Sequence, residues 1–126
     1  MYEIIFYKDK NGNEPIKDYI NELKRKSKKN KNNRIQYQKI SSYIAELSLK
    51  GTNIGMPLIK HIEGDIWELR PIRNRIFFFC WQENSFVLLH HFIKKSQKTP
   101  IKEIKQAKRN LNDFLKRRRE EYGKNR

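Results

Sequence analysis

Arg70, Arg73, Arg75, Lys94 and Lys95 stand at the ends of three β-type runs between Asp65 and Pro100. Arginine presents a planar set of donors that matches two oxygens of a phosphate. Several such groups around one phosphorus would stabilise the extra charge of a pentacoordinate transition state. The strand pattern can gather them. If the run Phe86 to Lys94 pairs antiparallel with the run Arg75 to Trp81, its C-terminal end lies beside Arg75. The five cations are therefore expected at one edge of a small sheet, where they suit phosphate better than a neutral ligand.

Groups able to move protons lie nearby. On an extended strand Glu68 and Arg70 share a face and Trp67 and Leu69 share the other. Trp67 and Leu69 are expected in the core, with Glu68 and Arg70 toward solvent or a cleft. Taken alone, Glu68 reads equally well as half of a local ion pair. His90 and His91 point to opposite faces, one expected to pack in the core and the other free to act as acid or base near neutral pH. Lys94, Lys95 and Lys98 precede a helix N-terminus, where the helix dipole disfavours cations, so local stability does not explain them. No Cys/His set has zinc spacing, and no glycine-rich phosphate loop or nucleophile elbow is present. Neither a metal nor a cofactor is expected.

The elements that must position these groups follow from periodicity. Tyr2 to Tyr7 is rich in aromatic and β-branched residues and reads as a strand. Asn11-Gly12-Asn13 signals a turn, and Pro15 suits the first turn of a helix. Ile16, Tyr19, Ile20 and Leu23 form one helical stripe, and Ile40, Tyr43, Ile44 and Leu47 form a second, ended by Gly51. The basic segment Lys24 to Asn33 between them reads as a helix end or a mobile loop. Leu58 to Arg70 reads as a strand that Glu63-Gly64-Asp65 splits by a hairpin or bulge, and Gln82 to Ser85 as a hairpin loop. The runs Arg75 to Trp81 and Phe86 to Lys94 lack polar alternation, so both their faces should be covered, the second by a third helix or by a partner. Thr99 is the expected N-cap of that helix, with Pro100 at its first position. Ile104, Ala107, Leu111 and Leu115 form its apolar stripe, and a frayed tail is expected from Lys116 onward. The order is β-α-α-β-β-β-α, an α+β class.

The chain has 126 residues and a formal net charge of +15. The length suits one domain over residues 1–126. The charge calls for a polyanion: nucleic acid, an anionic membrane surface or an acidic protein. From Lys94 to Arg126 there are 13 Lys and Arg against 4 Asp and Glu, so the last helix is a candidate phosphate-contacting face. A single cysteine, Cys80, excludes an internal disulfide framework and points to a reducing cytoplasm. No apolar run approaches ~20 residues, and the N-terminus lacks the charged-then-apolar pattern of a signal peptide. Neither export nor a membrane partner is expected.

The segments Ile66-Trp67-Glu68-Leu69-Arg70-Pro71, Leu88-Leu89-His90-His91-Phe92-Ile93-Lys94-Lys95, Lys98-Thr99-Pro100 and Glu103-Ile104 resemble the HigB branch of the RelE-like (RelE/ParE) toxins, a branch often labelled phage-derived. The resemblance spans nearly the whole chain, and the C-terminal half is its specific part. It implies a small RelE-like domain: a mostly antiparallel sheet with two N-terminal helices packed on one face. It also implies the toxin of a type II toxin–antitoxin system. Such a toxin is an endoribonuclease that cuts mRNA, typically on the ribosome, without a metal. A HigA-like helix-turn-helix antitoxin would neutralise it and carry the complex to operator DNA.

By the same resemblance, Arg70 and Arg75 match cluster positions on the two central strands, and Lys94 or Lys95 matches the basic residue ending the last strand. Arg70, Arg75 and Lys95 are expected to stabilise charge, Glu68 or His90 to act as base or acid, and Arg73, Lys94 and Lys98 to hold RNA phosphates. Two other readings stand beside this one: a non-catalytic basic RNA- or ribosome-binding protein, and a toxin-like fold serving only as partner of a DNA-binding repressor. A neighbouring reading frame for a short helix-turn-helix protein would help to separate them.

Overall fold

Adjacent Phe77 and Phe78 point to opposite faces of one strand, and both are fully buried. That single pair shows a sheet covered on both sides. A computed structural model describes residues 1–124. Asn125 and Arg126, the end of the expected 1–126 domain, lie outside the described residues. The strands are β1 (Glu3–Phe6), β2 (Ile59–Glu63), β3 (Ile66–Leu69), β4 (Asn74–Trp81) and β5 (Ser85–Ile93). The helices are α1 (Pro15–Lys26), α2 (Lys31–Lys50) and α3 (Ile101–Lys124), with a 3₁₀ turn at Gly51–Ile54. The strands lie in the order β1-β5-β4-β3-β2, with β1 parallel to β5 and the other neighbours antiparallel. The class is the α+β expected.

The α1 and α2 stripes predicted from spacing do pack on one face. Ile16, Leu23, Ile40 and Leu47 bury against Leu69, Ile76, Phe78 and Leu88. Gly51 ends α2 at φ +64, and an added Cβ there would meet the Tyr2 ring at 2.9 Å, so the position demands glycine. The other face belongs to α3, whose Ala107 packs with Phe77 and Phe92 and whose Phe114 packs with Phe79, Val87 and Leu89. Burying each such phenylalanine stabilises the fold by roughly 1.5–3 kcal/mol. The cover on this face is thus the third helix.

The segment Leu58 to Arg70 splits where Glu63-Gly64-Asp65 suggested, into two strands joined at Gly64 (φ +53), with a register shift between His61 and Glu63. Other boundaries differ from the reading by periodicity. The polar stretch 24–33 is mostly helical: α1 runs to Lys26, and α2 begins at Lys31 behind Asn30, whose side chain accepts from the Asn33 N–H at 2.9 Å. α3 opens at Ile101, one residue after the expected start, with the Pro100 carbonyl accepting from the Glu103 and Ile104 N–H groups.

The frayed tail from Lys116 is also overturned, since α3 continues to Lys124. Arg117 and Arg118 of this stretch have partners. Arg117 donates to Asp113 Oδ2 at 2.8 Å and to the Lys8 carbonyl, and Asp113 accepts from the Tyr7 hydroxyl at 2.5 Å. Arg118 lies over the Trp81 and Phe114 rings. Among the described residues no helix is long and apolar enough to cross a membrane.

Candidate functional site

The turn from Pro71 to Asn74 joins β3 to β4. Its Ile72 has φ +58, a left-handed conformation that a β-branched residue adopts only when its surroundings impose it. The surroundings are visible. The Asn74 N–H donates to the Pro71 carbonyl at 2.9 Å. Arg75 Nη1 donates to the carbonyls of Ile72 and Asn74, both at 2.8 Å. The buried Asn74 amide donates to Pro71 and to Gln36 of α2, and its oxygen accepts from Tyr19 of α1 and His91 of β5. One side chain thereby ties both helices and two strands to the turn.

The Lys94 N–H donates to the Arg73 carbonyl at 2.8 Å, which fixes the end of β5 beside the same turn. Arg73, Arg75, Lys94 and Lys95 then line one open cavity with Ser96 and Gln97. Against Arg75 of this cavity lies Glu68, only 2% exposed. Its Oε1 is 3.3 Å from Arg70 Nε and 3.8 Å from Arg75 Nε. Among the described residues neither Nε, nor Glu68 Oε2, has a hydrogen-bond partner, so charges are paired here without aligned hydrogen bonds.

Burial pushes the Glu68 carboxyl above the usual range, although Arg75, Arg70, Lys94 and Lys60 all pull it down. Burial also lowers Arg75 from its ordinary value. Burial and then Arg75 and Arg70 lower the Lys94 ammonium. Such a group of cations around one carboxylate, open to solvent on one side, can take up an anion. Shifted pKa values of this kind are typical of sites where protons move.

Residues 18–112 match the family described as Phage derived protein Gp49-like (DUF891). The chain belongs to this family. The Gp49-like proteins are a RelE/ParE-like toxin family associated with toxin–antitoxin systems. The matched span holds every residue of the cationic cluster and leaves out β1 and the last turns of α3. No curated protein matches the chain.

In this Gp49-like chain the residues singled out from sequence divide into groups. Arg73, Arg75, Lys94 and Lys95 come together at the cavity, and Arg70 joins them through Glu68. Of the two settings expected for Glu68, solvent or a cleft, open solvent is ruled out: the residue is buried, with Arg70 and Arg75 beside its carboxylate. His90 is held apart. Its Nε2 is 3.0 Å from Glu103 of α3, and it lines a different cavity with Tyr7, Arg109 and Asp113. His91, on the opposite face, is pushed down to about 4 by burial and then by His90. Lys98 is exposed and does not line the cationic cavity.

Two participants escaped the sequence reading. Lys60 of β2 sits directly across from Glu68, a register hidden by the shift at His61 and Glu63. Asn74 had no signal beyond its place between two arginines. Among the described residues no group of three or more His, Cys, Asp and Glu side chains is placed to hold a metal ion.

Proposed function

We propose that this Gp49-like chain is a HigB-type toxin. It is a metal-independent endoribonuclease that cuts mRNA on the ribosome and is neutralised by a HigA-like antitoxin, through which the complex reaches operator DNA. The observation that carries the reading is the buried Glu68 carboxylate, paired with Arg70 and Arg75 and within the field of Lys94 and Lys60, beside a solvent-open cationic cavity.

The chemistry needs only RNA and these side chains. The 2′-oxygen attacks the adjacent phosphorus, the bond to the 5′-oxygen breaks, and a cyclic phosphate and a free 5′-hydroxyl result. Arg70 and Arg75 turn from Glu68 to the phosphorane oxygens, with Lys95 beside them. That movement uncovers Glu68 Oε2, which takes the 2′-hydroxyl proton. The burial that raises its pKa makes it a stronger acceptor. Lys94, whose lowered pKa makes it a readier donor, protonates the leaving 5′-oxygen. Arg73 and Lys98 hold neighbouring phosphates. His90, facing another cavity, has no part in this scheme.

Incubating the purified protein with translated and with free mRNA tests the reading. The expected result is cuts within reading frames that persist in chelator, leave cyclic or 3′-phosphate ends, and vanish when the sugar at the cut site is 2′-deoxy. Cleavage of the deoxy substrate, or loss of activity in chelator, would overturn the mechanism. Binding without any cut would favour a non-catalytic RNA-binding protein, the reading that the net charge of +15 also accommodates.

A further inference from the structure

The outer face of α3 carries Lys102, Lys105, Arg109, Asn112, Lys116 and Arg119, at alternating spacings of three and four residues. That spacing keeps them on one side of a helix. All six are exposed, opposite the side that buries Ala107 and Phe114. At 1.5 Å per residue the row is about 26 Å long.

The carboxylates of α3 do not neutralise it. Glu103 is turned to His90, Asp113 to Tyr7 and Arg117, and Glu121 to Arg118. Glu120 lies at the far end. Among the described residues, none of the five cations in the row has a carboxylate within ion-pair distance. In the chain the row follows the cationic cavity closely: Lys95 lines that cavity, and Lys98 and Lys102 are the next cations.

We infer that this face of α3 grips the phosphate backbone of double-helical RNA. An uncompensated line of Lys and Arg is complementary to a regular line of phosphates. The row contains no aromatic side chain, whereas surfaces for single strands use aromatic rings to stack bases. Duplex RNA is recognised through its shape and backbone, for which Lys, Arg and Asn suffice. The choice of RNA over DNA rests on the function proposed above, but the grip itself does not require the cavity to cut.

Binding to a fully paired RNA duplex with 2′-O-methyl sugars, which cannot be cleaved by 2′-hydroxyl attack, separates the two questions. The triple variant Lys105→Ala, Arg109→Ala, Lys116→Ala should bind it at least about tenfold more weakly, with a salt slope shallower by roughly two to three. Alanine is the best helix former, so α3 should persist, as circular dichroism would show. The corresponding glutamine triple should behave alike. A control of equal charge, Lys24→Ala, Lys28→Ala, Lys29→Ala, removes exposed cations of α1 and the turn after it and should change affinity by less than about threefold. An equal loss in the control would overturn the assignment. So would an equal loss for a single strand of the same length, or tighter binding of a DNA duplex.

Discussion

His91 stacks on Tyr19 with ring centroids 4.0 Å apart, and both donate to the same oxygen, Asn74 Oδ1, at 3.0 and 2.8 Å. Because that oxygen only accepts, His91 carries its proton on Nε2. This contact lies directly behind the turn that presents Arg73 and Arg75, so its integrity bears on the cationic cavity.

The protonation of His91 should therefore govern acid stability. Its pKa is pushed from 6.5 down to about 4, first by burial. The unfolded chain then binds this proton more readily than the folded one. Stability is complete above about pH 6.5 and falls as the pH drops toward 4, by about 3 kcal/mol at most. Urea unfolding at pH 7 and pH 4.5 should show this fall, and His91→Gln should flatten it. An unchanged slope in the variant would remove His91 as the cause.

Replacing Asn74 should do more harm than its size suggests. Asn74→Ala deletes the acceptor shared by Tyr19 and His91 and the donor to Pro71 and Gln36. Leaving buried polar groups unpaired costs roughly 1–3 kcal/mol each. A loss of a few kcal/mol in chemical unfolding is expected, together with weaker cleavage as the Ile72 turn relaxes. A variant as stable as the parent would contradict this account of the turn.

Tyr7 offers a spectroscopic test of the joint between α3 and the segment that follows β1. Its phenol is raised from 10 to about 12, chiefly by burial and then by Asp113. Asp113→Asn should lower it toward 10 without reaching it, read from tyrosinate absorbance during alkaline titration. With the folded pKa above the unfolded one, stability is present below pH 10 and is lost as the pH rises toward 12. A Tyr7 titration indifferent to Asp113 would show that the 2.5 Å contact is not made in solution.

Much of this architecture is legible in local pattern. The unbroken apolar runs from Arg75 and Phe86 require two covers, and Gly64 marks the split between β2 and β3. What local pattern hides depends on register and distant partners. The bulge in β5 pairs Phe77 with His90 and Phe78 with Leu88, leaving Leu89 extra and aiming His90 at Glu103 rather than at the cations. Lys60 meets Glu68 only through the irregular β2–β3 register. The last turns of α3 look like a solvated tail because their partners, Tyr7 and the Lys8 carbonyl, lie at the other end of the chain.

Arg70 and Arg75 should separate when each is changed to alanine. Among the described residues Arg70 reaches Glu68 and Met56 but makes no side-chain bond to backbone, so Arg70→Ala should lose cleavage while keeping the fold. Arg75 also holds the Ile72 and Asn74 carbonyls, so Arg75→Ala should lose both cleavage and some stability. Removing one contact to a developing oxyanion typically raises the barrier by ~2.7–4 kcal/mol, a 10²–10³-fold slower cut. Glu68→Gln should destabilise by a few kcal/mol, because it leaves the surrounding cations unopposed in a largely buried place. Adding Arg70→Ala to Glu68→Gln should then cost less than the sum of the two changes, since the second relieves repulsion created by the first. Growth inhibition at matched expression, cleavage of a defined mRNA and urea unfolding together check all four variants. Full toxicity in both arginine variants would sink the assignment of this cavity as the active site.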